Sequence, residues 1–158
     1  MQQHISKSLL LKNFSLFKIT KASIVEIISS LLILLFVYAA VSKLLDFEVF
    51  KVQLSKSPFI SKFSSIIAWS IPIFELVIAI ALAFERFRLI GLYASLFIMT
   101  MFTAYIYAML NYSYYIPCSC GGVLSKMSWN THFWFNLFFV VASIGGISIQ
   151  TLYHKDRL

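Results

Sequence analysis

Four stretches of the chain are apolar almost without interruption, at about residues 22–44, 63–84, 89–110 and 129–152. Each runs to roughly 20 residues or more. A helix rising about 1.5 Å per residue needs that many to cross a hydrocarbon layer about 30 Å thick. The pattern predicts an all-α fold, a four-helix transmembrane bundle spanning residues 22–152 as one domain. Residues 1–21 precede it as a basic, amphipathic segment, and 153–158 follow as a short tail.

The breaks between the runs carry their own patterns. Glu85-Arg86-Phe87-Arg88 is short enough to make the second and third helices antiparallel neighbours. Residues 46–59 are longer and mixed: Val49, Phe50 and Leu54, with the preceding Leu45, alternate with Asp46, Glu48, Lys51 and Lys56. This pattern predicts a segment lying along the membrane interface until Ser57-Pro58 breaks it. Residues 5–19 repeat the pattern, with Leu9, Leu10, Phe14 and Phe17 set against Lys7, Lys12 and Lys18. No small-residue cleavage site follows a short apolar core near the amino terminus, so no removable signal peptide is expected.

Composition narrows the environment to a bilayer. Of the 158 residues, 60% are hydrophobic and 12% charged, and mean hydropathy is +0.86. A soluble domain of this size would expose far too much apolar surface. The net charge of +7 is spread over the breaks and forms no basic stripe with ordered aromatics, so no nucleic-acid partner is expected. It reads instead as membrane topology and contact with anionic lipid. One side would hold Lys7, Lys12, Lys18, Lys21, Arg86, Arg88, Lys155 and Arg157, and the other Lys43, Lys51, Lys56, Lys62 and Lys126. That bias puts both termini in the cytoplasm and the third break in the periplasm of a bacterial inner membrane. Oligomeric state is not legible.

The third break holds both cysteines, Cys118 and Cys120, within Pro117-Cys118-Ser119-Cys120-Gly121-Gly122. Pro117 stops a helix, and Gly121 and Gly122 permit a sharp turn. A disulfide between residues so close in sequence is strained and labile, and it closes too small a loop to add much stability. Thiol redox chemistry on the oxidising side of the membrane is the leading reading. A structural disulfide in a non-catalytic assembly or scaffold subunit is a second. With one pair only, no internal dithiol relay is available. Electrons must pass by mixed disulfide to another protein, which is favoured, or to a bound cofactor such as a quinone, for which no motif exists. Ser128 is a candidate N-cap for the fourth helix, whose dipole would favour a thiolate lying over it. A copper ion on Cys118, Cys120 and His132 is a third use of the same residues. Closed zinc sites want four ligands, and no metal site is assigned.

Ionisable and polar residues inside the runs are the other candidates. Glu75 falls near the middle of the second run, where a charge is costly and marks function by default. Ala68, Pro72, Ala79 and Ala83 share its face, a small-residue stripe suited to close packing. Glu75 is therefore expected to point into the bundle, bonded to Tyr38, Thr100, Thr103 or Tyr105. It would serve as a proton site, as the centre of a small-molecule or metal carrier, or as a neutral strut. Lys43 closes the first run, about 15 Å shallower by helical rise. It is expected to snorkel to lipid phosphate, to pair with Asp46 or Glu48, or to favour a thiolate nearby, rather than to meet Glu75. His132 and Asn136 lie one turn apart on the fourth run, as a thiol base, a seat for a quinone carbonyl, or interfacial residues bonded to backbone. Trp129, Trp134, Tyr112, Tyr114 and Tyr115 read as an aromatic belt.

Taken in order, Ala40-Val41-Ser42-Lys43, Pro72-Ile73-Phe74-Glu75 and Cys118-Ser119-Cys120-Gly121-Gly122 on four spans resemble the MauE/DoxX-like redox-associated membrane proteins, over about residues 25–150. The resemblance implies redox work on periplasmic thiols alongside a thioredoxin-like partner. MauE itself is tied to methylamine utilisation, where it helps mature a disulfide-rich dehydrogenase subunit. Nothing in this sequence specifies an amine substrate.

Overall fold

The computed structural model describes the backbone of residues 2–57, 60–112 and 128–155, and the side chains of residues 22–57, 60–112 and 128–152. Among the described residues the chain is helical, without strands. The helices are α1 (Gln2–Leu45), α2 (Phe47–Ser55), α3 (Ser64–Ala83), α4 (Arg88–Tyr112) and α5 (Trp129–Lys155), with one turn of 3-10 helix at Ser61–Phe63. Four segments are long and apolar enough to cross a membrane: Ala22–Leu45, Ser61–Ala83, Arg88–Tyr112 and Trp129–Leu152. They coincide with the four apolar runs to within two residues. The amphipathic lead-in is not set off from the first span. No Gly or Pro interrupts residues 2–45, and the backbone continues through them as one helix of 44 residues.

In the bundle α1 lies along α3 and α4 along α5, while α1–α5 and α3–α4 contacts close the ring. Val25, Leu32, Phe36, Ile78, Leu82, Leu92 and Phe139 fill its centre. The outside is equally apolar: Leu34, Ile66, Ile90, Phe97 and Trp134 are all exposed on the bundle's surface. That inversion suits hydrocarbon rather than water. Two buried serines satisfy their hydroxyls within their own helices: Ser95 donates to the Gly91 carbonyl and Ser143 to that of Phe139.

Two connections set the geometry around the site. The α3–α4 turn is tight, with the Phe87 amide donating to the Phe84 carbonyl at 3.0 Å. It brings the helices so close that a Cβ on Gly91 would lie 2.9 Å from the Leu82 backbone nitrogen. At the opposite end, α1 stops at Leu45 and α2 folds back over the bundle. Phe50 and Leu54, one turn apart, bury themselves with Ala68 of α3. The Phe47 and Trp69 rings meet at 4.6 Å. The segment expected along the interface is thus partly a lid packed on α3, while Val49 and Val52, with the preceding Leu45, stay exposed.

Candidate functional site

Beneath α2 the four long helices leave a cavity of about 300 Å³. Its walls are mostly apolar, from Phe36 and Ala39 of α1, Ile67 and Ile71 of α3, Met99 and Phe102 of α4, and Phe135 of α5. Five polar side chains face it: Lys43, Glu75, Tyr105, His132 and Asn136. They come from four helices that are distant in sequence.

Lys43 and Glu75 form its centre. The Lys43 ammonium lies 2.7 Å from Glu75 Oε1, and their side chains are 7% and 0% exposed. This overturns the expectation that Lys43 would stay at the surface. Helical rise measures the separation of backbones, but side chains on a helix tilt toward its amino terminus. On α1 that direction leads into the bundle, and Lys43 also reaches back to the Ala39 carbonyl at 3.4 Å. On the antiparallel α3 the same rule tilts Glu75 toward the end where α1 stops. The two side chains converge across the gap. The Phe102 and Phe50 rings lie 5.7 and 6.0 Å from the ammonium and complete its surroundings.

Glu75 points into the bundle as expected, on the face that also buries Ala68, Pro72 and Ala79, although Ala83 is exposed. Two of its expected partners are committed elsewhere: Thr100 donates to the Leu96 carbonyl and Thr103 to that of Met99. Among the described residues Glu75 Oε2 and the Tyr105 hydroxyl are buried without a hydrogen-bond partner, as are Ser29 Oγ, Ser57 Oγ and Arg88 Nε. Net worth aside, a buried polar atom left unpaired costs about 1–3 kcal/mol, so each calls for an account.

His132 and Asn136 share one face of α5, both buried, and both line the cavity. The Trp129 and His132 rings lie nearly parallel at 6.4 Å. Ser128 caps α5 as predicted. Its hydroxyl accepts from the Thr131 amide at 3.3 Å and sits 2.7 Å from the Thr131 hydroxyl. Pro117, Cys118, Cys120, Gly121 and Gly122 lie outside the described residues, as do Tyr114 and Tyr115. The copper set that would join Cys118 and Cys120 to His132 falls outside with them. Among the described residues no three His, Cys, Asp or Glu side chains group as metal ligands. Sequence alone singled out Lys43, Glu75 and the His132–Asn136 pair as separate candidates. It did not foresee that they share one cavity, nor that Phe50 and Phe102 enclose the lysine. The directional tilt of helical side chains was the signal available for the ion pair.

Fold and site together define a multi-pass, all-helical membrane protein with an ion pair buried in a cavity within its spans. The chain belongs to the MauE family: the family described as methylamine utilisation protein MauE matches residues 21–149. No known protein among curated sequences and no solved structure matches it.

Proposed function

We propose that this MauE-family protein is a thiol–disulfide redox protein of the bacterial inner membrane, with both termini in the cytoplasm and Cys118 and Cys120 presented to the periplasm. The observation that carries the reading is the cysteine pair itself. It holds every cysteine of the chain, one residue apart, in the segment joining two membrane spans. Family membership supports a role in maturing periplasmic proteins, as does the charge bias of the flanking segments.

The exchange runs through a thioredoxin-like partner. A partner thiolate attacks one sulfur of the Cys118–Cys120 disulfide, the S–S bond breaks, and a mixed disulfide joins the two proteins. The partner's second thiolate then displaces it. The partner leaves oxidised, and the pair has gained two electrons and two protons. With no second pair in the chain, those electrons leave to another dithiol protein or to a quinone.

Trapping tests this directly. Of the variants Cys118→Ser and Cys120→Ser, one should accumulate in membranes as an adduct that reductant dissolves. A membrane-impermeant thiol reagent should label the reduced pair in intact spheroplasts. The reading fails if neither variant is trapped and the wild-type pair has a potential below about −300 mV, the range of structural disulfides.

A further inference from the structure

The cavity has features that the thiol chemistry does not use. Glu75 is fully buried near the middle of α3, lines the cavity, and presents an oxygen that no group among the described residues satisfies. The Tyr105 hydroxyl, from the α4 lining, is likewise unmatched among the described residues. Phe97 and Met101 also line the cavity, yet are 67% and 56% exposed on the outer surface of α4. The cavity therefore opens sideways, through the face that meets lipid, and its occupant arrives from the bilayer.

From these constraints we infer that the cavity binds a neutral, lipid-soluble molecule with a hydroxyl- or carbonyl-bearing ring, the class of prenylated quinols and quinones. Charge selects the head group. Lys43 and Glu75 already neutralise one another at 2.7 Å. An anionic head such as a carboxylate or phosphate would meet the free Glu75 oxygen, and a cationic one would meet the lysine. A neutral hydroxyl offers its proton to Glu75 Oε2, and an oxygen on the ring accepts from Tyr105. Shape selects the ring: Phe36, Phe102, Trp129 and Phe135 give flat aromatic walls that suit a planar group. A volume of about 300 Å³ sits at the small end of ligand cavities, enough for a ring and the start of its tail. The rest of the tail leaves past Phe97 and Met101 into lipid. Binding stands on the cavity alone; a role for the ligand as electron acceptor rests on the thiol reading.

Trp129 supplies the probe. With Trp69→Phe and Trp134→Phe, it is the single tryptophan left, since the chain has three. In nanodiscs of zwitterionic lipid, a decyl-tailed benzoquinone should quench Trp129 saturably. The matching benzoquinol should relieve that quenching by competition, and decanoate and decyltrimethylammonium should not. Tyr105→Phe removes only the hydroxyl and should weaken binding about five- to tenfold, the worth of one hydrogen bond. The charge-balanced Lys43→Met/Glu75→Gln protein should weaken it at least as much. Quenching that rises linearly with quinone, as from free partition into lipid, would overturn the inference. So would saturable binding unchanged by Tyr105→Phe, or displacement by decanoate. Saturable binding by a Cys118→Ser/Cys120→Ser protein, with no adduct trapped by either single variant, would uphold the cavity and sink the thiol role.

Discussion

Replacing Lys43 by Met should destabilise the bundle far more than replacing Glu75 by Gln, and the reason is depth. Glu75 lies eleven residues past the start of α3, about 16 Å along the helix, and is fully buried. Without Lys43 its carboxylate has no route to water. Breaking a buried ion pair from one side costs about 3–5 kcal/mol, and here the contacts of Lys43 with the Phe50 and Phe102 rings are lost as well. Lys43, by contrast, is two residues from the end of α1, about 3 Å by helical rise. In Glu75→Gln its long stem can swing the ammonium out to the interface, which holds the loss to about 1–2 kcal/mol. Lys43→Met/Glu75→Leu should fold about as well as the parent, since apolar replacement of a whole buried pair is often neutral or better. The assay is reversible unfolding in mixed micelles, followed by helical circular dichroism. If the losses in Lys43→Met and Glu75→Gln sum to that of Lys43→Met/Glu75→Gln within about 0.5 kcal/mol, the two groups are not coupled and the buried pair is wrong. Equal losses in the two single variants would refute the depth argument alone.

Other substitutions probe how the helices are held. Gly91→Ala puts a methyl 2.9 Å from backbone of α3, which cannot yield as a side chain would, so it should cost about 1–3 kcal/mol in the same assay. Gly145→Ala meets nothing within 4 Å and should stabilise α5 by up to about 1 kcal/mol; equal effects at the two glycines would contradict the close α3–α4 approach. Ser128→Ala removes the cap of α5 and should cost about 0.5–2 kcal/mol, seen as faster amide exchange at Thr131 with α4 unchanged. Unaltered exchange there would mean that the hydroxyl contributes no cap.

The spans were legible because one physical demand writes them. A helix in hydrocarbon must be apolar on every side over a fixed length, and residues 22–44 or 129–152 satisfy that whatever they pack against. The inner faces left a fainter trace. Glu75 stood out because a charge in such a run has to be hidden, and the small-residue stripe beside it told which way. The ion pair was missed because spacing along a helix was read as depth, whereas Lys43 and Glu75 each lean toward the other by the ordinary tilt of their side chains. The folding of α2 onto Ala68 was missed for another reason. Phe50 and Leu54 make a short apolar face that would serve a lipid interface or a protein surface equally well. Only the tertiary fold decides between them. The cavity left no sequence signal at all, since a void is a property of how four helices meet.

Placement of the ion pair argues for use rather than support. A buried pair is seldom a gain over well-packed apolar residues, and this one also leaves Glu75 Oε2 unmatched. The same region of the bundle is left unfilled, although larger side chains on α3 or α4 would close it. Both features lower stability, and they coincide. By contrast Gly91 lets α3 and α4 nearly touch, and Ser95 and Ser143 are satisfied by their own helices. Ser29 Oγ, Ser57 Oγ and Arg88 Nε are also buried without a partner among the described residues, but here an unfilled cavity, a buried ion pair and two unpaired oxygens, from three helices, coincide, and a ligand accounts for all of them together. His132 and Asn136 extend that polar lining onto α5, the helix that begins nine residues after Cys120. If the thiol chemistry and the cavity belong to one reaction, α5 is the element they share. Losing Asn136 should then alter ligand affinity without changing which partner the cysteines trap.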